Sequence, residues 1–79
     1  MSDARTRFIE IHLTSSSVAA GKIVAELGMP HGVVLISVRR GRELLIPHGD
    51  TQLQSDDLVT VLCGREHIER VRAILGAVE

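Results

Sequence analysis

A chain of 79 residues with 44% hydrophobic and 24% charged side chains and a net charge of −1 is sized and composed as one small globular domain. It carries no basic field for DNA, RNA or an anionic membrane, and Phe8, its single aromatic residue, gives no platform for stacking bases. No apolar run approaches the ~20 residues that span a bilayer, and the start MSDARTR lacks a signal peptide's apolar centre, so the expected setting is cytoplasmic, without direct membrane insertion.

The expectation is one domain over residues 1–79, with 1–7 flexible. FIEIHL (8–13) alternates, with Ile9, Ile11 and Leu13 toward one side and Glu10 and His12 toward the other, the period of a half-buried strand. In TSSS, Ser16 or Ser17 can cap a helix whose apolar positions are Ala20, Ile23, Val24 and Leu27 and whose left-handed stop is Gly28. Ala19, Ala20 and Gly21 make a thin face suited to lying close on the sheet or, together with the second strand, against a second copy. VVLISV (33–38) is apolar on both faces, as in a central strand. A turn at Gly41 returns the chain through ELLI as a hairpin partner. Pro47, which lacks an N–H for a ladder, ends that strand. LVTVLC (58–63) is the fourth strand. GREHIERVRAILG closes with a helix carrying Ile68, Val71 and Leu75 on one face, with Glu66 spaced to pair with Arg70. The predicted order is β-α-β-β-β-α, an α+β domain with a small, mostly antiparallel sheet and two helices.

Such a chain buries only about 60–65% of the surface its unfolded form exposes. Cys63 is the single cysteine and sits in an apolar strand, so no disulfide can form within the chain. No Cys–His spacing suits zinc, and association with a second copy is the expected supplement.

The polar segment PHGDTQLQSDD between the third and fourth strands reads first as a structured connector and second as a ligand rim. Leu53 is its apolar residue beyond Pro47 and predicts an anchor into the core. Asp56 and Asp57 read as a solvated corner. His31 and His48 lie in turns and can meet an anion when protonated, whereas His12 and His67 read as surface residues. Arg39, Arg40 and Arg42 cluster at the hairpin turn, either solvated or forming a phosphate or carboxylate contact through the guanidinium fork. Neither a dinucleotide nor a P-loop glycine pattern occurs, no hydroxyl sits in a nucleophile elbow, and no acid–base pair is evident, so no catalytic residue is assigned.

The ordered set Val33–Arg39, Gly41, Leu44–Ile46, Pro47, Asp50-Thr51-Gln52-Leu53, Asp56-Asp57, Leu58–Cys63 and Ile68–Leu75 resembles the TrkA-C domain, the C-terminal lobe of RCK (regulator of potassium conductance) proteins. The resemblance implies a regulatory domain of a cation channel or ion transporter, joined to that membrane transport protein in cis or in trans. It also implies a homodimer with a small ligand between the copies. In some relatives the ligand is cyclic di-AMP, and the positions matching its cleft are His31, Gly32, Val33, Val34 and Pro47, beside which His48 lies. Two departures bear against cyclic di-AMP in particular: no amide side chain stands at Gly32, and GMP replaces a basic residue after the first helix. The ligand class left open is a nucleotide or cyclic dinucleotide, with no cofactor required. The alternative is an oligomerisation or interaction module without ligand. An amino-acid-sensing domain of ACT type fits less well, because here the extra strand precedes the last helix.

Overall fold

The computed structural model describes residues 6–76. Four strands form one antiparallel sheet: β1 (Thr6–His12), β2 (Val34–Arg40), β3 (Glu43–Leu45) and β4 (Leu58–Gly64), in the order β1-β4-β2-β3. A 3-10 turn, Arg65–His67, leads into α1 (Ile68–Leu75). The expected α+β class and antiparallel sheet are present. Thr6 and Arg7, expected in a flexible start, belong to β1, and residues 1–5 lie outside the described range.

Pairing register explains the burial. Residues directly opposite each other in adjacent strands share a sheet face, so the rows Ile9–Val61–Leu35 and Ile11–Val59–Val38 lie on one side. Leu35 and Val38 are three apart and would face opposite ways in a regular strand. A bulge between Leu35 and Ser37 inserts Ile36 and returns Val38 to the inner side, where it is fully buried. Leu13, Leu53, Val71 and Leu75 close over these rows, each 0% exposed. Cys63 is buried here too, and burial together with the charge of Glu66 pushes its thiol above the ordinary range.

The segment read as the first α-helix takes another form. Ser17 closes a turn instead of capping a helix: its Oγ accepts the Thr14 N–H at 2.9 Å and its own N–H reaches the Thr14 carbonyl at 3.0 Å. Gly21 has φ +90°, Ile23 is extended, and the helical part is a single 3-10 turn, Val24–Glu26. The backbone partners lie across the molecule. Gly21 N–H donates to Leu53 O (2.7 Å), Leu53 N–H to Lys22 O (2.9 Å), Val24 N–H to Thr51 O (3.0 Å) and Ala25 N–H to Gly49 O (2.8 Å). These bonds outcompete an isolated short helix, whose nucleation is unfavourable in any case. They also bind the long connector to the domain. Ala19 belongs to the core and is not available as a packing face for a second copy.

Gly76 ends α1 in the left-handed conformation, φ +80°, with its N–H bonded to Arg72 O at 2.8 Å. A Cβ here would collide with the backbone of Ser17 and Val18. Gly76→Ala therefore adds a steric conflict to the unfavourable φ and is expected to cost about 2–3 kcal/mol in urea denaturation. An unchanged midpoint would show that the end of α1 does not seat on residues 17–18. Glu66, in the 3-10 turn before α1, has its carboxylate 3.7 Å from His67 Nε2.

Candidate functional site

The sheet has one covered and one bare face. On the bare face, register aligns Phe8–Leu62–Val34 in one row, Glu10–Thr60–Ser37 in the next, and His12–Leu58–Arg39–Leu44 in the last. No element among the described residues packs over it. Phe8 is 70% exposed, Val34 52% and Leu44 57%. The first row is a cross-strand apolar patch about 10 Å across three strands. Its composite nature hid it from sequence reading: Phe8 and Leu62 are 54 positions apart and become neighbours only through the β1–β4 pairing.

The sequence-derived site residues divide between the two ends of the β2–β3 hairpin. His31 and Gly32 are exposed in the turn before β2, with Gly32 at φ +86°. Val33 packs against the core, while Val34 opens onto the bare face. Pro47 is half-buried and His48 exposed; the His48 N–H donates to Thr51 Oγ1 at 2.8 Å. These residues belong to the open end of the hairpin. Arg39, Arg40 and Arg42 belong to the closed end around Gly41. The β4 partners of Val34 and Arg39, Leu62 and Leu58, are four residues apart, which puts Val34 and Arg39 roughly 13 Å from each other.

The three arginines also differ from one another. Arg40 turns toward the connector: its Nε and Nη2 donate to the two carboxylate oxygens of Asp57, each at 2.9 Å, and Nη2 also reaches Gln52 O at 2.9 Å. Asp57 is 0% exposed and accepts the Gln54 N–H as well, so one half of the supposed solvated corner is a buried structural carboxylate. Burial is the largest influence on it and would raise its pKa. Hydrogen bonds from Arg40 and Gln54, with the Arg40 charge, outweigh burial and hold the carboxyl below its ordinary value. Arg39 and Arg42 make no side-chain hydrogen bond or ion pair among the described residues. Asp56 projects outward from a left-handed backbone, φ +74°.

Sequence reasoning missed a concavity of about 360 Å³ on the bare face, bounded by His12, Arg39, Gly41, Asp56 and Leu58. The alternation in FIEIHL already placed His12 on the outer face, but its neighbours depend on register. Among the described residues no group of three His, Cys, Asp or Glu could hold a metal ion, and no helix is long and apolar enough to cross a membrane.

The arrangement defines a small α+β domain that presents one bare sheet face and its rims. Comparison with known proteins makes the assignment specific: the profile of the TrkA-C domain matches residues 8–76, and the chain belongs to that family. It is 35% identical over 75 residues to a Trk system potassium uptake protein TrkA homolog of Archaeoglobus fulgidus, covering 95% of this chain and 17% of that protein. It is 39% identical over 64 residues to an uncharacterised transporter of Symbiobacterium thermophilum, covering 78% of this chain and 12% of the relative. The chain thus spans less than a fifth of the length of either relative. A solved structure described as "Structure of RCK domain with cda" superimposes with a TM-score of 0.73 at 22% identity, covering 86% of this chain and 96% of that one, and shares the fold. The chain is thus a TrkA-C domain with the fold of that RCK structure.

Proposed function

We propose that this domain is a ligand-sensing regulatory module of a cation channel or ion transporter. It works on the cytoplasmic side as a homodimer, in cis or in trans to the transport protein. The observation that carries the dimer is the apolar row Phe8–Leu62–Val34 on an uncovered sheet face. A monomer gains nothing from exposing it, and a two-fold axis lets the same row serve both copies. A standard interface buries ~800 Å² per partner, about 15% of this chain's 5283 Å².

The row adjoins the turn of His31, Gly32 and Val33, so the small ligand belongs at that rim, between copies, with Pro47 and His48 from the other side of the hairpin's open end. A nucleotide or cyclic dinucleotide suits it: apolar contacts from Val33, Val34 and Pro47 meet a base, and the histidines meet phosphate.

Sedimentation equilibrium at micromolar concentration tests the assembly, with about twice 8.6 kDa expected. Val34→Arg places a charge on a position that is already half exposed, so the fold survives while dimerisation weakens at least about tenfold, 1.4 kcal/mol. A folded 8.6 kDa wild-type monomer would remove both the dimer and the cleft. In a thermal-shift screen of nucleotides and cyclic dinucleotides, a ligand at 100 times its Kd adds about 2.7 kcal/mol. A stable dimer that no compound stabilises would instead favour the oligomerisation module.

A further inference from the structure

We infer that the concavity at the other end of the bare face is a binding site for a zwitterionic α-amino acid with an apolar side chain. Its residues come from three separate parts of the chain. β1 contributes His12, β2 and its turn contribute Arg39 and Gly41, and the corner entering β4 contributes Asp56 and the first strand residue, Leu58. In register, Leu58 lies between His12 and Arg39. The two flanking strands stand about 10 Å apart across it, room for one small molecule lying over an apolar floor. The space of about 360 Å³ is a shallow depression open to solvent, so a ligand there is held by its contacts and not by enclosure.

The charges select the ligand. Arg39 has no ion-pair partner among the described residues, whereas the adjacent Arg40 is held by Asp57. A planar guanidinium with free donors suits a carboxylate, which it can grip with two parallel hydrogen bonds. Asp56 supplies the opposite charge. Its carboxylate is 90% exposed and lies only loosely near His12, with Oδ1 3.9 Å from Nε2. It is carried on a backbone at φ +74°, where glycine would sit without strain, so the local conformation alone gives no reason for a side chain there. A simple anion would meet Asp56, and a simple cation would meet Arg39. A molecule bearing both charges satisfies both. Its carboxylate goes to Arg39, its ammonium to Asp56 beside the His12 ring, and its side chain to Leu58, with Leu44 next to Arg39 extending the apolar surface. The site lies at the opposite end of the same bare face from the rim at His31 and Val34, and it requires the dimer to seat on the Phe8–Leu62–Val34 end alone.

The test is an NMR titration of the full 79-residue chain with L-leucine, with 4-methylpentanoate (the same carboxylate without the amine) and with isopentylamine (the amine without the carboxylate). L-leucine is expected to shift the amides of His12, Arg39, Gly41, Asp56 and Leu58 saturably, each half-ligand binding at least tenfold more weakly. Arg39→Gln should weaken leucine at least tenfold. Asp56→Gly, which the backbone accommodates without strain, should weaken it too while leaving the fold intact. Absence of saturable shifts, equal binding of 4-methylpentanoate or isopentylamine, or unchanged affinity in either variant would overturn the proposal. Shifts confined to residues 31–34 and 47–48 would overturn it as well, since they report the other rim.

Discussion

Arg40→Leu is expected to destabilise the domain by about 3–5 kcal/mol at neutral pH, more than the loss of its partner. The asymmetry follows from burial. The Arg40 side chain is 29% exposed and can turn to water when Asp57 is gone, but Asp57 is 0% exposed and, without Arg40, is a buried charge held by one backbone N–H. Asp57→Asn keeps the shape and an acceptor for Gln54 and should cost about 1–3 kcal/mol. Against a typical domain stability of about 5–15 kcal/mol, the first change removes a large part of what holds a chain this small. Urea denaturation of both variants and the double mutant checks the ordering, and Asp57→Asn costing more than Arg40→Leu would contradict it.

The same pair sets an acid dependence. Asp57 titrates below its unfolded value, so its contribution is present above about pH 3.9 and is lost as pH falls through the lower folded pKa. In Arg40→Leu burial dominates and the folded pKa rises, so the native state is then helped by protonation. The deficit of that variant relative to wild type should therefore shrink between pH 7 and pH 3. A deficit constant across that range would mean Asp57 is not the group involved.

Leu53→Ala is the second large effect, about 2–5 kcal/mol, because a fully buried leucine leaves both lost transfer energy and a cavity. Its consequence is also regional. Leu53 exchanges backbone bonds with Gly21 and Lys22, beside the Ile23–Gln52 bridge and the Gln52 side-chain bond to Gly21 O at 2.9 Å. Hydrogen exchange in the variant should show the amides of Gly21, Val24, Ala25 and Leu53 losing protection together, beyond those of β4. A uniform loss across the sheet would show instead that connector and core open as one unit.

Much of this domain follows from local rules that need no partner. The period of two in FIEIHL identifies β1, the apolar run LVTVLC identifies β4, Pro47 ends the hairpin, and the face of Ile68, Val71 and Leu75 identifies α1. The ordered pattern around Asp50-Thr51-Gln52-Leu53 carries the family. Leu53, one apolar side chain in a polar stretch, reads as an anchor, and it is buried. Tertiary structure decided the rest, wherever a residue's partner is distant in sequence. Ala20, Ile23, Val24 and Leu27 have helical spacing, yet Gly21, Lys22, Val24 and Ala25 in their segment exchange backbone bonds with residues 49–53, because a short helix interrupted at Gly21 is weaker than a ladder to a segment anchored in the core. Asp56 and Asp57 are alike in sequence, but one meets water and the other Arg40, 17 residues away. The bulge at Ile36 chooses which side chains of β2 reach the bare face. Both proposed sites exist only because register lays four separate strands side by side, an arrangement set by the pairing of the whole sheet and carried by no single stretch of chain.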